Sequence, residues 1–495
     1  MLNYLIDSYQ KYPEKIAISD KDNMYSYKEL LFKSKQVAKL LQTLDLHNKP
    51  IAVIGNPNIS TIAQFFGVLY SGNFYVPLDP DMPTEKMQRI FNDADFSVVF
   101  GSENNRKAIE KLNYMGEFFI SSDYEKVTPA DNGLIQLSGD EPAYMVYTSG
   151  STGIPKGVVK SHNAVISFID AFTSAFSFTD DEIIGNQTPF FFDASAKDIY
   201  LMLKLGCTME ILPSTLFSLP PELIDYINDR KVTYACWVPT VLSIVAQLNP
   251  FSLVVPKTLK KLFFVGEVMQ IKHLKKWMTA LPEIQYVNLY GASETAGVCC
   301  FHEVEPKDLD CLSLPIGKPF DNCRIYLLNN DRIIKTPGQI GELYIASDTI
   351  AIEYFHDKGK TDAVFQYRDF GHGIERCFKS GDLAQYDKNG NLVFATRTDF
   401  QIKHMGHRIE LGEIEAICSN LDIINRCCCV YDTAKRKIIL ICTSNAGLNP
   451  QEIKSVLKTR LSAYMVPGKV VILDELPINA NGKIDRQKLK EIYIK

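Results

Sequence analysis

Short apolar runs, each closed by a turn rich in Gly, Ser, Thr or Pro, recur along this chain with helical repeats between them. The runs fall at 51–54, 96–100, 144–147, 234–237, 261–265 and 286–290, while the apolar spacing over 27–41 and 62–70 is helical. A strand that must return by a helix to a neighbouring strand builds a largely parallel sheet, covered by helices on both faces. The expected class is therefore α/β, a large N-terminal domain of parallel-rich sheets flanked by helices. In open sheets of this kind ligands collect beyond the carboxyl ends of the strands, where the unusual turns of this sequence lie. From 325 to 393 the strands shorten and turns multiply, which predicts a β-rich subdomain. The last hundred residues read as a small α+β unit with helices at 409–421 and 450–462 and strands at 427–431 and 437–442. A boundary near Asp399 divides 1–397 from 398–495.

Composition narrows the function classes. A chain of 495 residues exceeds one ordinary core, and 46% apolar with 22% charged residues is a globular profile. The net charge of −5 gives no nucleic-acid or membrane footprint, and the basic run 272–276 reads as a solvated helix face. The 12 cysteines are scattered, with one triplet at Cys427-Cys428-Cys429, and none has zinc-site spacing. They are expected to be buried, reduced thiols. No secretory leader or 18-residue apolar stretch is present, so the expected location is the cytoplasm.

The turn after 144–147 carries the first chemistry. Thr148, Ser149, Gly150, Ser151, Thr152 and Gly153 combine hydroxyl donors with glycines that let the backbone point N–H groups at an anion. Lys156 adds a mobile cation. GxxxxGK[ST] is absent, which excludes the ordinary P-loop kinases and GTPases.

Four further motifs follow in order: Asn288-Leu-Tyr-Gly-Ala-Ser-Glu-Thr295; Lys379-Ser-Gly-Asp-Leu383; Arg397-Thr-Asp-Phe-Gln-Ile-Lys403 with Gly406-His-Arg-Ile-Glu-Leu-Gly-Glu-Ile-Glu415; and Asn479-Ala-Asn-Gly-Lys-Ile-Asp485. With the loop, they make the chain resemble the adenylate-forming superfamily over nearly its whole length. That family comprises acyl-CoA synthetases, luciferases and the adenylation domains of nonribosomal peptide synthetases. The resemblance implies attack of a carboxylate on the α-phosphate of ATP, giving acyl-AMP and pyrophosphate. It implies that Thr148 to Gly153 and Lys156 hold the β and γ phosphates and that Glu294 helps to coordinate Mg²⁺. Asn288, Leu289, Tyr290, Gly291, Ala292, Ser293 and Phe394 would line the nucleotide, with the Tyr290 ring against adenine. Asp382 would accept from the ribose hydroxyls, Arg397 would reach the nucleotide, and Lys483 would bridge the substrate carboxylate and the α-phosphate. Asp399 stands at the family's hinge, about which a mobile C-terminal domain swings between half-reactions, bringing the Gly406 region to a phosphopantetheine thiol. Two departures, Ala292-Ser293 for Pro-Thr and Thr396 for Gly, remove no charged group.

Phe190-Phe-Phe-Asp193-Ala-Ser195 matches the Phe-Asp-x-Ser motif of amino-acid adenylation domains, where the carboxylate would pair with an α-ammonium. Carrying over the family's pocket positions gives Asp193, Ala194, Lys197, Cys236, Phe263, Val265, Leu289, Gly297, Val298 and Lys483. Lys197-Asp-Ile-Tyr200 and Phe264-Val-Gly-Glu-Val268 also look like D-alanine–D-alanyl carrier protein ligase, but a lysine at 197 departs from that pocket. Lys197 has three readings: paired with Asp193 four residues away on one helix face, reaching a polar or acidic substrate side chain, or snorkelling to solvent. The expected substrate is a small or acidic amino acid. Twelve residues follow Lys483, too few for a carrier domain, so the expected acceptor is a phosphopantetheinyl carrier protein in trans. The alternatives are an acyl-CoA or aryl-CoA ligase using free CoA, and a non-catalytic adenylate-binding regulator.

Overall fold

The fold is described for residues 2–55, 57–129, 138–149, 155–311, 313–397, 400–419, 421, 423–444, 449–478 and 484–494 of a computed structural model. The apolar runs become strands as their pattern predicts. In a nine-stranded sheet, Gln285–Tyr290, Lys261–Val265, Tyr234–Trp237, Ile183–Asn186, Thr208–Ile211 and Ile16–Ser19 lie side by side and parallel. Antiparallel strands finish both edges: Cys300–Glu303 with Lys318–Pro319 at one and Met24–Ser26 at the other. A seven-stranded sheet holds Pro142–Thr148, Phe74–Leu78, Pro50–Ile54, Val98–Phe100 and Glu117–Phe119 in parallel order, with Lys156–Ser161 and Glu353–Tyr354 completing it. The β-rich stretch forms a six-stranded antiparallel sheet from Cys323–Asn329 to Leu392–Arg397.

Two of the helices start where side chains supply acceptors for the first free N–H groups. Ser26 opens Tyr27–Gln42 with a capping box, accepting from the Glu29 N–H while Glu29 accepts from the Ser26 N–H. Asn58 caps Ile59–Tyr70 by accepting from Thr61 N–H. These two helices cross at Gly67, where a Cβ would stand 2.3 Å from Val37 Cβ, so only glycine allows their close approach.

The chain gathers into two compact units. One takes Met1–Pro80, Ala94–Val146 and Gly157–Thr398, and the other takes Asp81–Asp93, Tyr147–Lys156 and Asp399–Lys495. In the second, Arg426–Asp432, Lys437–Thr443 and Lys469–Ile472 form a three-stranded sheet over the helices Leu411–Ser419 and Pro450–Lys458. The expected helix at 409–421 starts later. Ile409 belongs to His407–Glu410, a strand paired with Gln401–His404 across Met405-Gly406, both at positive φ. Two left-handed residues in a row make the tight turn that matches the twist of a hairpin, and this overrides the apolar spacing read as helical. The helix expected to reach 462 ends at Lys458. One cysteine, Cys311, is exposed rather than buried. No described helix is long and apolar enough to cross a membrane.

Candidate active site

The strand Gln285–Tyr290 ends in a turn whose shape is set by a glycine. A Cβ on Gly291 would lie 2.0 Å from the Gly297 carbonyl oxygen, so residues 291 and 297 meet only because position 291 has no side chain. Between them Ser293–Thr295 makes one short helical turn, and Ala296 and Gly297 take positive φ. This places Glu294 in the interior with no exposure, its Oε1 accepting from the Tyr354 hydroxyl at 2.6 Å. Gly291→Ala should force this turn apart, at a cost of about 1–3 kcal/mol. Thermal unfolding of the variant beside the unaltered chain checks it.

Tyr290 is buried, and its hydroxyl donates to Asp382 Oδ2 while Arg397 Nη1 pairs with Asp382 Oδ1. Arg397 Nη2 also donates to the Ser380 carbonyl at 3.1 Å. Asp382 and Arg397 stand opposite each other on Ile374–Tyr386 and Leu392–Arg397, so the antiparallel register brings them together. Burial, with Asp382 alongside, pushes the Tyr290 hydroxyl well above its usual range. Phe394 is half-buried against the same core. Asn288 commits its side-chain amide to the Pro315 carbonyl at 2.7 Å, and Leu289 is buried. Ala292 and Ser293 are half-buried.

Asp193 stands just before the helix Ala194–Leu205 but makes no capping bond. Its carboxylate is drawn elsewhere: Oδ1 accepts from the Tyr144 hydroxyl at 2.8 Å, and Oδ2 lies 3.6 Å from Lys160 Nζ. Tyr144 stacks on Tyr75, whose hydroxyl meets that of Tyr200 at 2.9 Å, so an aromatic wall supports the carboxylate from the seven-stranded sheet. Lys160 has no exposure at all, and its ammonium has no hydrogen-bond acceptor among the described residues. Burial pushes Asp193 up and Lys160 down, each toward its neutral form, and their attraction opposes both shifts.

The remaining pocket positions converge on one face of the nine-stranded sheet. Cys236 lies opposite Phe263, and Val265 opposite Leu289, while 263 and 265 share a face by the two-residue period. Phe263 is enclosed by Phe172, Phe176, Phe178 and Tyr234. Val298 is buried, and Ala194 and Gly297 are half-buried. Lys197 overturns two of its three readings. It is 2% exposed, which excludes snorkelling, and its Nζ pairs with Asp198 rather than Asp193. The reason is that Asp193 precedes the first helical turn and faces Tyr144 and Lys160. Asp198 also accepts from Asn186 Nδ2 at 3.0 Å, and it holds the Lys197 ammonium above its usual range against burial. Burial also pushes the Cys236 thiol up to about 11.

In the second unit the Ser149 hydroxyl donates to the Arg408 carbonyl at 2.7 Å, and Tyr147 donates to Asp93 at 2.6 Å. The buried Thr148 Oγ1 has no hydrogen-bond partner among the described residues. Lys156 opens the strand Lys156–Ser161. Gly150, Ser151, Thr152, Gly153, Asp399 and Lys483 lie outside the described residues.

Sequence reading missed Lys160, Tyr144 and Tyr354. Lys160 had a signal: a lysine inside the run Gly157-Val-Val-Lys-Ser161 is a charge where a buried strand expects none. Among the described residues no cluster of three or more His, Cys, Asp or Glu could hold a metal ion. A cation here would depend on a single carboxylate, such as Glu294, and on oxygens from a bound phosphate, which is how Mg²⁺ is commonly held.

A family model described as "AMP-binding enzyme" matches residues 6–355, and one described as "AMP-binding enzyme C-terminal domain" matches 413–483. The chain is 30% identical to tyrocidine synthase 3 of Brevibacillus parabrevis over 484 residues, covering 97% of this chain and 7% of that protein. It spans less than a fifth of the first curated relatives it matches. Among solved structures, holo-PA1221, a nonribosomal peptide synthetase protein with adenylation and carrier domains, superposes with a TM-score of 0.86 at 22% identity, covering 99% of this chain and 84% of that one. The o-succinylbenzoate CoA synthetase of Bacillus subtilis gives a TM-score of 0.86 at 21% identity, covering 99% and 98%. These likenesses carry the fold.

Proposed function

The chain belongs to the AMP-binding enzymes, the adenylate-forming acid–thiol ligases, and on that premise we propose that it activates an amino acid and passes it to a carrier-protein thiol in trans. The observation that carries the choice of acid is Asp193, a carboxylate held by Tyr144 at the start of a helix and not engaged in capping it. Lys160 already stands 3.6 Å from one of its oxygens, and the acceptor sites that the carboxylate retains beside it suit the N–H donors of an α-ammonium.

In the proposed first step a carboxylate oxygen of the amino acid attacks the α-phosphorus of ATP, and the bond to pyrophosphate breaks. Lys483 steadies both the incoming carboxylate and the phosphate oxygens, where charge builds. Thr148 to Gly153 and Lys156 hold the β and γ phosphates. Asp382 meets the ribose; each of its oxygens has two lone pairs, so the bonds from Tyr290 and Arg397 leave acceptor capacity. Mg²⁺ bound with ATP would neutralise phosphate charge, and Glu294 is the residue that would hold it. In the second step the phosphopantetheine thiol attacks the acyl carbonyl and AMP leaves. A swing of the C-terminal domain about Asp399, bringing the Gly406 region to the thiol, would separate the steps. The cytoplasm suits all of these reactants.

The substrate is a small or acidic amino acid. Lys197 gives one of its three donors to Asp198 and meets the Cys236 thiol, and a remaining donor can meet a polar or acidic substrate side chain. ATP–pyrophosphate exchange across the amino acids, D-alanine included, tests this. Exchange with small or acidic amino acids is expected, and a response to fatty or aryl acids alone would sink the reading. A CoA ligase is the second reading, favoured by the Lys160 ammonium that already faces Asp193 and so lessens the need for an amino group. AMP release with holo carrier protein, compared with free CoA, separates the two.

A further inference from the structure

Lys160 is a feature of this site that the proposed reaction leaves without a task. Its side chain is wholly buried, its ammonium has no hydrogen-bond acceptor among the described residues, and it lies 3.6 Å from Asp193 Oδ2. It also feels the charge of Glu294, and the two carboxylates repel each other through the same interior. An isolated buried lysine is costly, and so are two like carboxylates in one dry site. With all three ionised, the group carries a single net negative charge.

The geometry points to Lys160 as a positioning residue that acts through Asp193: it is the shared counter-ion that keeps Asp193 charged and aimed for the α-ammonium of the substrate. This role rests on the amino-acid reading above. Tyr144 fixes one oxygen of Asp193 and supplies direction, but a hydroxyl brings no full charge. Tyr75 and Tyr200, packed behind it, are bound to each other. Lys160 is a cation whose charge acts on both Asp193 and Glu294 from inside the protein, and so offsets their repulsion. Without it, burial favours a neutral Asp193, which would no longer attract an ammonium. At 3.6 Å Lys160 forms an ion pair with Asp193 Oδ2, and a carboxylate with about four lone-pair sites keeps acceptor capacity for a further donor.

The test compares the full-length chain with Lys160→Met, which keeps the length of the side chain and removes its charge, and Lys160→Gln, which keeps a donor. Pyrophosphate exchange is measured with the preferred amino acid and with its analogue lacking the amino group. In both variants the KM for the amino acid should rise about tenfold or more, the factor that one pKa unit represents. The KM for ATP, the kcat at saturating amino acid and exchange with the desamino analogue should change by less than about threefold, well inside that tenfold step. An unchanged or lower KM for the amino acid would overturn the inference, the lower value meaning that Lys160 competes with the ammonium. An equal loss for both substrates, or loss of the fold in both variants, would assign Lys160 to structure alone and overturn it too. If the unaltered chain exchanges only with desamino acids, the amino-acid reading fails and this inference with it; that failure is distinct because it needs no variant.

Discussion

Replacing Lys483 with alanine is expected to cut ATP–pyrophosphate exchange by about 10²–10³-fold, the usual effect of removing one aligned donor to a developing negative charge. The reason is electrostatic. Two anions, a carboxylate and a triphosphate, must come within bonding distance, and their repulsion peaks as the new bond forms. A cation that bridges them acts mainly at that point, so its loss should fall on kcat and spare the ground state. ATP binding, followed by equilibrium dialysis or fluorescent nucleotide displacement, should change little, because the proposed site assigns the phosphate, ribose and base contacts to other residues. Undiminished exchange in Lys483→Ala would refute the assigned role. A parallel loss of ATP binding would move Lys483 from the chemistry to nucleotide capture.

The second large effect is on stability. Asp382→Ala removes the carboxylate that both Tyr290 and Arg397 engage, and the side chains of Arg397 and Asp382 are only 12% and 6% exposed. Breaking a buried pair by deleting one member costs about 3–5 kcal/mol, because the other charge stays in the interior without its counter-charge. Urea unfolding of the larger unit should register that loss. The double variant Asp382→Ala/Arg397→Met should recover much of it, since the guanidinium that faced Asp382 is removed with it. Simple additivity of the two single changes would show that the residues are not coupled. Neither variant should bind ATP normally if Asp382 meets the ribose as proposed.

Much of the larger unit was legible in the sequence because strand and helix periodicity are local. The runs at 234–237 and 261–265 coincide with strands residue for residue, and 27–41 with a helix that runs one residue further. The strand His407–Glu410 was read as helix because Ile409 fits an apolar helical spacing as well as a strand. Two left-handed residues at 405 and 406 decided between them, and a backbone dihedral leaves little trace in a hydrophobic pattern. The Lys197 pairing was decided by packing in the same way. Adjacent residues on a helix do not normally face each other, yet a lysine closed off from solvent bends to the nearest carboxylate, here Asp198.

The sequence by itself determined the α/β class, the order of the motifs and the family to which the chain belongs. These follow from periodicity, turn residues and short contiguous spacings, all of which are written along the chain. Which charges face each other was decided only by the tertiary structure. Lys160 and Asp193 are 33 positions apart, on different elements, and nothing local joins them. They meet because the strand and the helix start are packed together, and burial makes that meeting matter by stripping the water that would otherwise screen it.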